Sequence, residues 1–592
     1  MAGAVRLSDY AGAAVLALRR EASSTFNAIT VLRSIHALGS IPDHLEALPD
    51  DLCTSDPERG NAILAGRFQL AGDTLETGPN DGDIWSRSTP SRAFARRLHG
   101  FSWLRDCAAA SEGDGIAEAE TLTDAWIKTF GRWNSFAWSH DVLSARLMNW
   151  LRNGRFLFGP AGSDEPRDAR QLSRLRALIR QVRYLQRSLP LAHDGAIRLR
   201  CAAALSLAAL CLPKQGALQK SALATYLHEI DRQILPDGGH VSRSPSAAAD
   251  ALIDLVTICD VAAGLDVELP VGLARAVERL APVTRFFQMG DCGLAGFHGG
   301  GEGDHRALTA LLARPDIKSR TFGFAPHSGY QRAHAGGATI LLDVGEPARG
   351  ALSVNAHAGT LAFELSTASG RLIVNCGWDE DQPSNWREAV RATAAHSTLT
   401  LEETSSARLL QPGWRRDLLG PRLSTSPAPV TARRNEEDMG VWLEGGHEGY
   451  RGIYGLSHRR RIFLAADGGD LRGEDALFRP VADGPPDDVD VRWRFSIRFH
   501  LHPSVKASLA RDSMSVLLVQ PDGAGWRFRS DGGPIRLERS VYLAGGAPPQ
   551  RATQIVVQGE AEPFGAGDRP PNRVRWAFQR LGRVGGAAGE NV

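Results

Sequence analysis

The sequence lacks an excess of charge of either sign. Lysine and arginine number 68 against 67 aspartate and glutamate residues, which gives a formal net charge of +1. This balance provides no global field that would draw the chain to nucleic acid or to an anionic membrane. No nucleic-acid partner is therefore expected, and any polyanionic ligand must be held by a local cluster of basic side chains.

Long apolar runs and closely spaced cysteines are also missing. No stretch of the sequence approaches the ~20 apolar residues of a membrane-spanning helix. The short apolar stretch 11–18 precedes Arg19 and Arg20, whereas a signal peptide carries its positive charge first. The seven cysteines include no Cys-x-x-Cys pair, so buried free thiols are expected. These absences predict a chain without a transmembrane segment and a cytoplasmic location.

The first half of the chain has a helical pattern. From about residue 8 to residue 312, apolar residues recur at three- and four-residue spacing, as in LSRLRALIRQVRYLQRSL (172–189). The stretch RLRCAAALSLAALCLP (198–213) is apolar on nearly every face, so it predicts a buried inner helix. We predict an N-terminal helical segment over 1–60 and a domain of many antiparallel helices over 61–312.

The second half has a different pattern. Short runs rich in β-branched and aromatic residues, such as ATILLDVG (338–345) and RFSIRFHLH (494–502), are separated by Gly, Asp and Pro. This spacing is typical of an antiparallel β-sandwich. We predict a linker at 313–329, a sandwich domain over 330–592 and a loop or insertion at 423–440. Two domains fit a length beyond the ~250–300 residues at which single cores stop growing.

Two stretches carry a family resemblance: NAHAGTLAFELSTASGRLIVNCGW (355–378) and NWREAVRATAAHSTLTLEE (385–403). Together they resemble the opening of the C-terminal domain of the heparinase II/III family. The segments GYQRAHAGGATILLDVG (329–345) and EGYRGIYGLSHRRRIFL (448–464) are similar to it as well. The resemblance implies an N-terminal (α/α) toroid-like helical domain followed by a C-terminal antiparallel β-sandwich, with a glycan-sized cleft between them.

The resemblance also implies a reaction, the cleavage of an acidic, uronate-containing polysaccharide such as a glycosaminoglycan by β-elimination. One group neutralises the uronate carboxylate, a base removes the proton at C5, and an acid protonates the leaving oxygen. Many relatives hold a structural zinc in the sandwich. At the matching positions this chain has His357, Asn375 and His396, with Gly359 where the family has an aspartate. The loss of the anionic ligand makes this a poorer zinc site.

The helical half departs further from the family pattern. Where relatives carry a Gly-Asn-His turn, this chain reads Gly195-Ala196-Ile197-Arg198. The stretch PDGGHVSRSPSAAAD (236–250) keeps the Asp-Gly-Gly turn and the Ser-Pro pair, but alanines stand where the family tyrosine would fall. His240 and Arg243, which follow the turn, are the groups that could stand in for the missing residues.

The candidate site residues follow from these matches. The catalytic candidates are His357, His396, Asn355, Arg391, His240, Arg243 and Tyr330. The substrate-binding candidates are Trp133, Trp138 and Arg198, because Trp faces stack on sugar rings and Arg pairs with carboxylates. Each has a plain alternative: a satisfied core histidine, a structural salt bridge, a solvated loop residue, or an aromatic ring packed in the core.

Three functions remain open at this point. The first is a polysaccharide lyase acting on an acidic glycan. The second is a non-catalytic glycan-binding or envelope-associated protein that kept the scaffold and lost the chemistry. The third is a hydrolase with paired carboxylates such as Asp237 and Glu364. The cytoplasm is predicted from the absence of an export signal, the family resemblance gives the periplasm or cell envelope as the alternative, and the sequence leaves the oligomeric state open.

Overall fold

The computed structural model describes residues 7–29, 42–78, 83–162, 168–480, 483, 491–546, 548–563 and 572–581. Helices dominate this part of the chain as far as Leu312, and strands dominate it from Phe324 onward. The predicted architecture of a helical toroid-like domain followed by an antiparallel β-sandwich is confirmed. None of the described helices is both long and apolar enough to cross a membrane.

The helical half is built from helices of 5 to 22 residues. The helices are α1 Leu7–Ala28, α2 Pro57–Leu64, α3 Arg92–Gly100, α4 Leu104–Ala108, α5 Gly115–Phe130, α6 His140–Arg152, α7 Gly154–Phe158, α8 Ala169–Ser188, α9 Ala196–Cys211, α10 Gly216–Gln233, α11 Pro245–Gly264, α12 Val271–Phe287 and α13 His305–Leu312. Two short helices, α14 Trp414–Leu419 and α15 Arg451–Tyr454, lie in the second half.

The inner helix of this domain is α9. It contacts α6, α8, α10 and α11, and twelve of its residues, among them every one from Cys201 to Cys211, are buried. A helix with apolar residues on all faces is stable only when neighbouring helices shield every face from water, as this sequence predicts. The helix α11 begins with Pro245 in its first turn, where proline costs no hydrogen bond. The prediction of a buried inner helix is confirmed.

The strands form a two-stranded hairpin and two large antiparallel sheets. They are β1 Arg67–Leu70, β2 Asp73–Glu76, β3 Phe324–Ala325, β4 Tyr330–Ala335, β5 Ala338–Asp343, β6 Phe363–Thr367, β7 Gly370–Val374, β8 Leu399–Leu401, β9 Val430–Glu437, β10 Gly440–His447, β11 Ser457–Ala465, β12 Asp470–Phe478, β13 Trp493–Leu501, β14 Lys506–Leu509, β15 Ser515–Val519, β16 Gly525–Ser530, β17 Ile535–Tyr542, β18 Gln550–Ala561 and β19 Arg573–Arg580.

The two sheets pack face to face around an aromatic core. The eight-stranded sheet has the order β14-β15-β16-β19-β12-β11-β10-β9. The nine-stranded sheet runs β17-β18-β13-β7-β6-β5-β4-β3, and β8 pairs with β13. Phe363 of one sheet stacks on Trp576 of the other, with 5.5 Å between ring centroids and 7° between ring planes. Alternate residues therefore point into the sandwich, as the period of two predicts.

An ion cluster is buried inside this sandwich. Asp475 accepts hydrogen bonds from His458 Nε2 at 2.7 Å and from Arg460 Nε and Nη2 at 2.8 and 2.9 Å. The Trp576 indole N–H adds a fourth at 2.9 Å. Burial would raise the pKa of Asp475, but Arg460 and His458 outweigh it and hold that pKa well below the ordinary value. The aspartate is therefore a carboxylate at the centre of the fold.

Four local features differ from the sequence prediction. The hairpin β1–β2 interrupts the helical half at residues 67–76. The segment 423–440, predicted as a loop or insertion, contains the edge strand β9, which pairs with β10 along its whole length. The predicted boundary at residue 60 falls inside α2, and the predicted linker 313–329 contains β3.

Candidate functional site

Polar side chains from both domains meet on the outer side of the nine-stranded sheet. Arg243 lies just before α11, and His298 lies in the loop between α12 and α13. Asp343 ends β5, while His357 and His396 lie in the irregular segments that flank β6 and precede β8. The helical half and the sandwich therefore both contribute to this cluster, where the family resemblance places the cleft.

Arg243 is the central cation of the cluster. Its Nη2 donates to Asp343 Oδ1 at 2.5 Å and to the Gly329 carbonyl at 3.0 Å. Its Nε donates to the Ser328 carbonyl at 2.7 Å. Arg243 is 6% exposed and Asp343 is fully buried. The guanidinium thus ties the helical half to the first strands of the sandwich, and its charge is already neutralised by a carboxylate of the protein.

His298 completes this network in its neutral form. Its Nδ1 accepts the backbone N–H of His357 at 3.1 Å, so the ring proton lies on Nε2, which donates to Asp343 Oδ2 at 3.0 Å. Burial, and then the nearby charge of Arg243, lower the pKa of His298. The Asp343 carboxylate remains ionised, because Arg243 and His298 outweigh the effect of burial and hold its pKa low.

Tyr330 lies against the same guanidinium. The Arg243 Cζ lies 4.7 Å from the centroid of the Tyr330 ring, and the phenol donates to the Arg243 carbonyl at 2.7 Å. The tyrosine is fully buried, and burial raises the pKa of its phenol well above the ordinary value. Arg243 has a φ of +63°, so its backbone adopts a left-handed conformation that these contacts must stabilise.

His357 and His396 form a hydrogen-bonded pair. His396 Nδ1 donates to the Ala392 carbonyl at 2.8 Å, so its Nε2 accepts from His357 Nδ1 at 3.1 Å. Both residues are buried, with 2% and 1% exposure. Burial, and then the neighbouring His396, lower the pKa of His357 far below the ordinary value. Burial lowers the pKa of His396 to about 4. Both rings are therefore neutral at physiological pH.

The residues at the implied zinc position do not fit that metal. Asn375 is fully buried, and both polar atoms of its amide are engaged: Oδ1 accepts from Ser397 N at 3.0 Å and Nδ2 donates to Glu364 Oε1 at 3.1 Å. A Cβ on Gly359 would lie 2.7 Å from His396 Cδ2, so a side chain at the family's aspartate position would collide with that ring. Only two neutral imidazoles remain, without an anionic ligand.

Asn355 and Arg391 lie beside this pair, and both are engaged in hydrogen bonds within the protein. The Arg391 guanidinium is 2% exposed and donates to three backbone carbonyls, those of Ala356, Ser353 and Pro421, at 2.6 to 2.9 Å. It thereby fixes the segment that precedes His357. Asn355 is exposed and accepts from Arg387 Nη2 at 2.5 Å. The predicted role of Arg391 in holding a glycan carboxylate would require breaking these bonds.

The remaining candidates lie in the helical half. His240 is buried between Gln233 and Ser242, with ring nitrogens 2.9 and 2.7 Å from their side-chain oxygens. Arg198 donates to the Ala192 carbonyl at 2.8 Å. Trp138 is 2% exposed and donates to the Phe130 carbonyl, and Trp133 packs against the same core. The packing alternative describes the placement of Trp138, while Trp133 is half-buried and keeps part of its ring accessible.

The paired carboxylates considered for hydrolysis belong to separate networks. Asp237 accepts from the backbone N–H groups of His327 and Ser328 at 2.8 and 2.7 Å. Glu364 is 1% exposed and accepts from Gly296 N and from Asn375. Each carboxylate orders a different segment of the domain junction.

Sequence reasoning missed His298 and Asp343. His298 stands in the glycine-flanked segment GFHGG (296–300), and its φ is +47°. In the sequence, a histidine in a glycine-rich segment is the signal that could have marked this position, because strained backbone conformations are often found at functional sites. Asp343 stands in the apolar strand ATILLDVG, where a lone buried carboxylate requires a cationic partner. The identity of that partner, 100 residues away, is visible only in the fold.

A second charged cluster lies at the same junction. Glu302 Oε2 contacts His305 Nε2 at 3.1 Å, its other oxygen accepts from the Tyr542 phenol, and the buried Arg371 lies 3.6 Å away. Burial would raise the pKa of Glu302, but the hydrogen bond from His305 and the charge of Arg371 lower it to about 2. Since this pKa lies below that of an unfolded glutamate, the stabilisation is present above about pH 4.5 and is lost as the pH falls.

We expect Glu302→Gln to reduce the free energy of unfolding by about 1–3 kcal/mol near pH 6. The difference from the native chain should shrink as the pH falls from about 4.5 toward 2, because the native carboxylate is then protonated as well. Chemical denaturation at a series of pH values measures this. Glu268→Gln, at an exposed position, is the matched control and should leave stability unchanged. A difference that stays constant with pH would contradict the assignment.

Known protein structures share this architecture. The heparinase III structure superposes with a TM-score of 0.65 at 15% identity, over 98% of this chain and 92% of that chain. The heparan sulfate lyase HepC from Pedobacter heparinus superposes with a TM-score of 0.55 at 15% identity, over 96% and 88% of the two chains. The helical domain and sandwich of this chain therefore have the same fold as these two proteins.

The sequence comparisons agree with this fold. Residues 317–577 match the model of the heparinase II/III-like C-terminal domain. Over 541 residues the chain is 37% identical to FtsZ-localized protein C of Caulobacter vibrioides, an alignment that covers 91% of each protein. The chain belongs to the heparinase II/III family.

Proposed function

We propose that this chain is a non-catalytic member of the heparinase II/III family that localises with FtsZ. The observation that carries the proposal is the state of the convergent polar groups, which are buried and paired with one another. Eliminative cleavage of an acidic glycan, such as a glycosaminoglycan, is the alternative that the scaffold suggests.

Elimination requires a cation or amide that faces the substrate carboxylate. Arg243 is the cation at the centre of the cluster, and it is committed to Asp343 and to three backbone carbonyls. A uronate could replace Asp343 only if that fully buried carboxylate lost its cationic partner, a change that costs several kcal/mol. The Arg243 guanidinium is therefore in place, but a substrate carboxylate could bind it only by displacing Asp343 or a backbone carbonyl.

Elimination also requires a base and an acid within reach of the sugar. His357 and His396 are neutral, buried and bonded to each other. A histidine whose pKa is about 4, as for His396, is a weak base, and at neutral pH it lacks the protonated imidazolium form that would act as an acid. Tyr330 donates its proton to a backbone carbonyl and is shielded from solvent. This arrangement supports a structural role for all three residues.

The placement at FtsZ rests on the relative from Caulobacter vibrioides. It is 37% identical over 91% of both chains, whereas the lyase structures are about 15% identical. The name of that relative places it with FtsZ. A role at FtsZ needs a stable scaffold with a recognition surface and needs no acid or base, in accord with the buried cluster described above.

The experiment has one arm for each half of this proposal. Purified protein is incubated with heparan sulfate, heparin, chondroitin and hyaluronan, and the ultraviolet absorbance of unsaturated uronate products is followed. We expect no rise above the buffer rate, while a heparinase III run in parallel gives one. In cells that produce the protein, a fluorescent fusion should coincide with FtsZ and disperse when FtsZ is depleted.

The two arms can fail separately. A rise in absorbance that His357→Ala abolishes in a folded protein would establish a lyase and overturn the non-catalytic assignment. A fusion that stays in place after FtsZ depletion would overturn the assignment to FtsZ and leave the catalytic question untouched. His99→Ala, at a buried histidine of the helical core that is bonded to Trp126, is the matched control for loss of packing.

A further inference from the structure

The outer face of the eight-stranded sheet carries a groove of about 400 Å³. It crosses β10, β11, β12, β19 and β16, on the face that points away from the sandwich core. We name it the arginine groove, because its lining includes Arg461, Arg472, Arg529 and Arg575, with Trp442 at one side. It is distinct from the cluster around Arg243, which lies on the other sheet.

The strand register places five outward side chains in one row across this groove. Trp442 pairs with Phe463, Phe463 with Arg472, and Arg472 with Ala577. Ala577 also pairs with Arg529 on its other side. This row, the first row, is therefore aromatic at one end and cationic at the other, and it contains no carboxylate.

The neighbouring row has a different character. Glu444 pairs with Arg461, Arg461 with Glu474, and Glu474 with Arg575. Charges alternate along this second row, and Arg461 Nε lies 3.1 Å from Glu444. Opposite charges on adjacent strands stabilise one another. The second row is neutralised within the protein, and Arg575 pairs with Asp531 as well. Among the described residues, the lining arginine without a carboxylate partner is therefore Arg529 of the first row.

The two arginines of the first row are available to a ligand. The Arg472 side chain is 63% exposed, and among the described residues its ion pair is with Asp470 of the same strand. Within the described part of the chain, Arg529 has no carboxylate within 4.0 Å. Ala577 lies between them, two strand spacings or roughly 10 Å separating the arginines. Its methyl group leaves a dip flanked by two guanidinium groups.

The other end of the row is apolar. The Trp442 and Phe463 rings lie 4.9 Å apart, and the Arg461 guanidinium lies 5.0 Å from the Trp442 centroid. These aromatic rings form a half-buried platform on the sheet surface. An apolar side chain placed on this platform would remove its surface from water, which is favourable. Groups placed beyond the platform would meet Arg472 and Arg529.

We propose that the arginine groove binds an acidic peptide segment that carries an apolar side chain. The apolar side chain would rest on Trp442 and Phe463, and the carboxylates would take charge-assisted hydrogen bonds from Arg472 and Arg529. A glycan is less well matched, because sugar hydroxyls need acceptors as well as donors, and the carboxylates that line the groove, Glu474 and Asp531, already pair with Arg459 and Arg575. The groove goes beyond the proposed function and does not depend on FtsZ.

The test uses fluorescence anisotropy of a fluorescein-labelled peptide of aspartate and glutamate with one central phenylalanine. We expect saturable binding to the full chain that weakens as salt is added. The double change Arg472→Glu and Arg529→Glu should weaken binding about tenfold or more. The matched control, Arg536→Glu and Arg539→Glu on β17, makes the same charge change at exposed positions of the other sheet and should keep native affinity.

Further arms separate the apolar contact and the ligand class. A peptide with alanine in place of phenylalanine should bind the native chain more weakly than the phenylalanine peptide does. The two peptides should bind the Trp442→Ala variant with equal affinity. Equal affinity of the native and charge-reversed chains for the acidic peptide would overturn the proposal. A heparin oligosaccharide that binds more tightly than the peptide and responds to the same double change would overturn the choice of peptide. Circular dichroism confirms that each variant is folded.

Discussion

Replacing Asp343 with alanine should lower the free energy of unfolding by about 3–5 kcal/mol. The substitution leaves the Arg243 guanidinium buried without its counter-charge, and it also removes the acceptor of the His298 proton. Since Arg243 comes from the helical half and Asp343 from β5, we expect the loss to appear in the unfolding of both domains. Chemical denaturation followed by tryptophan fluorescence and by far-ultraviolet circular dichroism measures this.

An exposed ion pair provides the control for Asp343. Asp316 pairs with Arg314 at 2.8 Å, but the aspartate side chain is 63% exposed. Its replacement by alanine should change stability by less than about 1 kcal/mol, because water screens both charges. If the two variants proved equally stable, the network around Arg243 would not hold the domains together, and the argument that its cation is unavailable to substrate would lose its basis.

The second large effect is expected at Asp475 in the sandwich. Asp475→Asn keeps the size of the side chain but removes the charge that neutralises Arg460, and it should cost about 3–5 kcal/mol. The cause is again an uncompensated buried cation, since Arg460 and Asp475 are both essentially inaccessible to solvent. Thermal and chemical unfolding of the purified variant give the measurement.

A double change separates charge from packing at this position. Arg460→Met combined with Asp475→Asn removes the stranded cation and should recover part of the stability lost in Asp475→Asn alone. Recovery will be incomplete, because the Leu361 and Ser397 carbonyls lose the Arg460 donor. If the double variant were instead less stable than Asp475→Asn alone, because the two substitutions destabilised the protein independently, the unpaired charge of Arg460 would not explain the effect.

The fold could be predicted where hydrophobic periodicity is strong. The inner helix α9 and the sandwich strands β5 and β13 follow directly from their apolar patterns. The strand β9 has the sequence VTARRNEE and lies at a sheet edge, so most of its side chains face solvent and no apolar alternation marks it. The hairpin β1–β2 is short, and the helices around it dominate the local pattern.

The candidate site could be predicted only in part. The motif around His357 and His396 led to two rings that the fold places 5.2 Å apart, measured between centroids. Arg243 was a candidate because it follows a turn, but its partner Asp343 lies 100 residues further along the chain. Pairings over such sequence distances depend on strand order and domain packing, which local patterns do not specify. The burial that determines the state of these groups is a property of the fold alone.

The close approach of His396 to Gly359 bears on how this lineage can change. A Cβ at position 359 would lie 2.7 Å from the His396 ring, so an aspartate there is incompatible with the present rotamer of that histidine. Regaining an anionic ligand at this position would require the ring to move first, and the ring is held by Ala392 and His357. Each single step would be destabilising without restoring a metal site. A single substitution of Gly359 by aspartate would therefore not supply this ligand, because the contacts that hold the His396 ring would have to change with it.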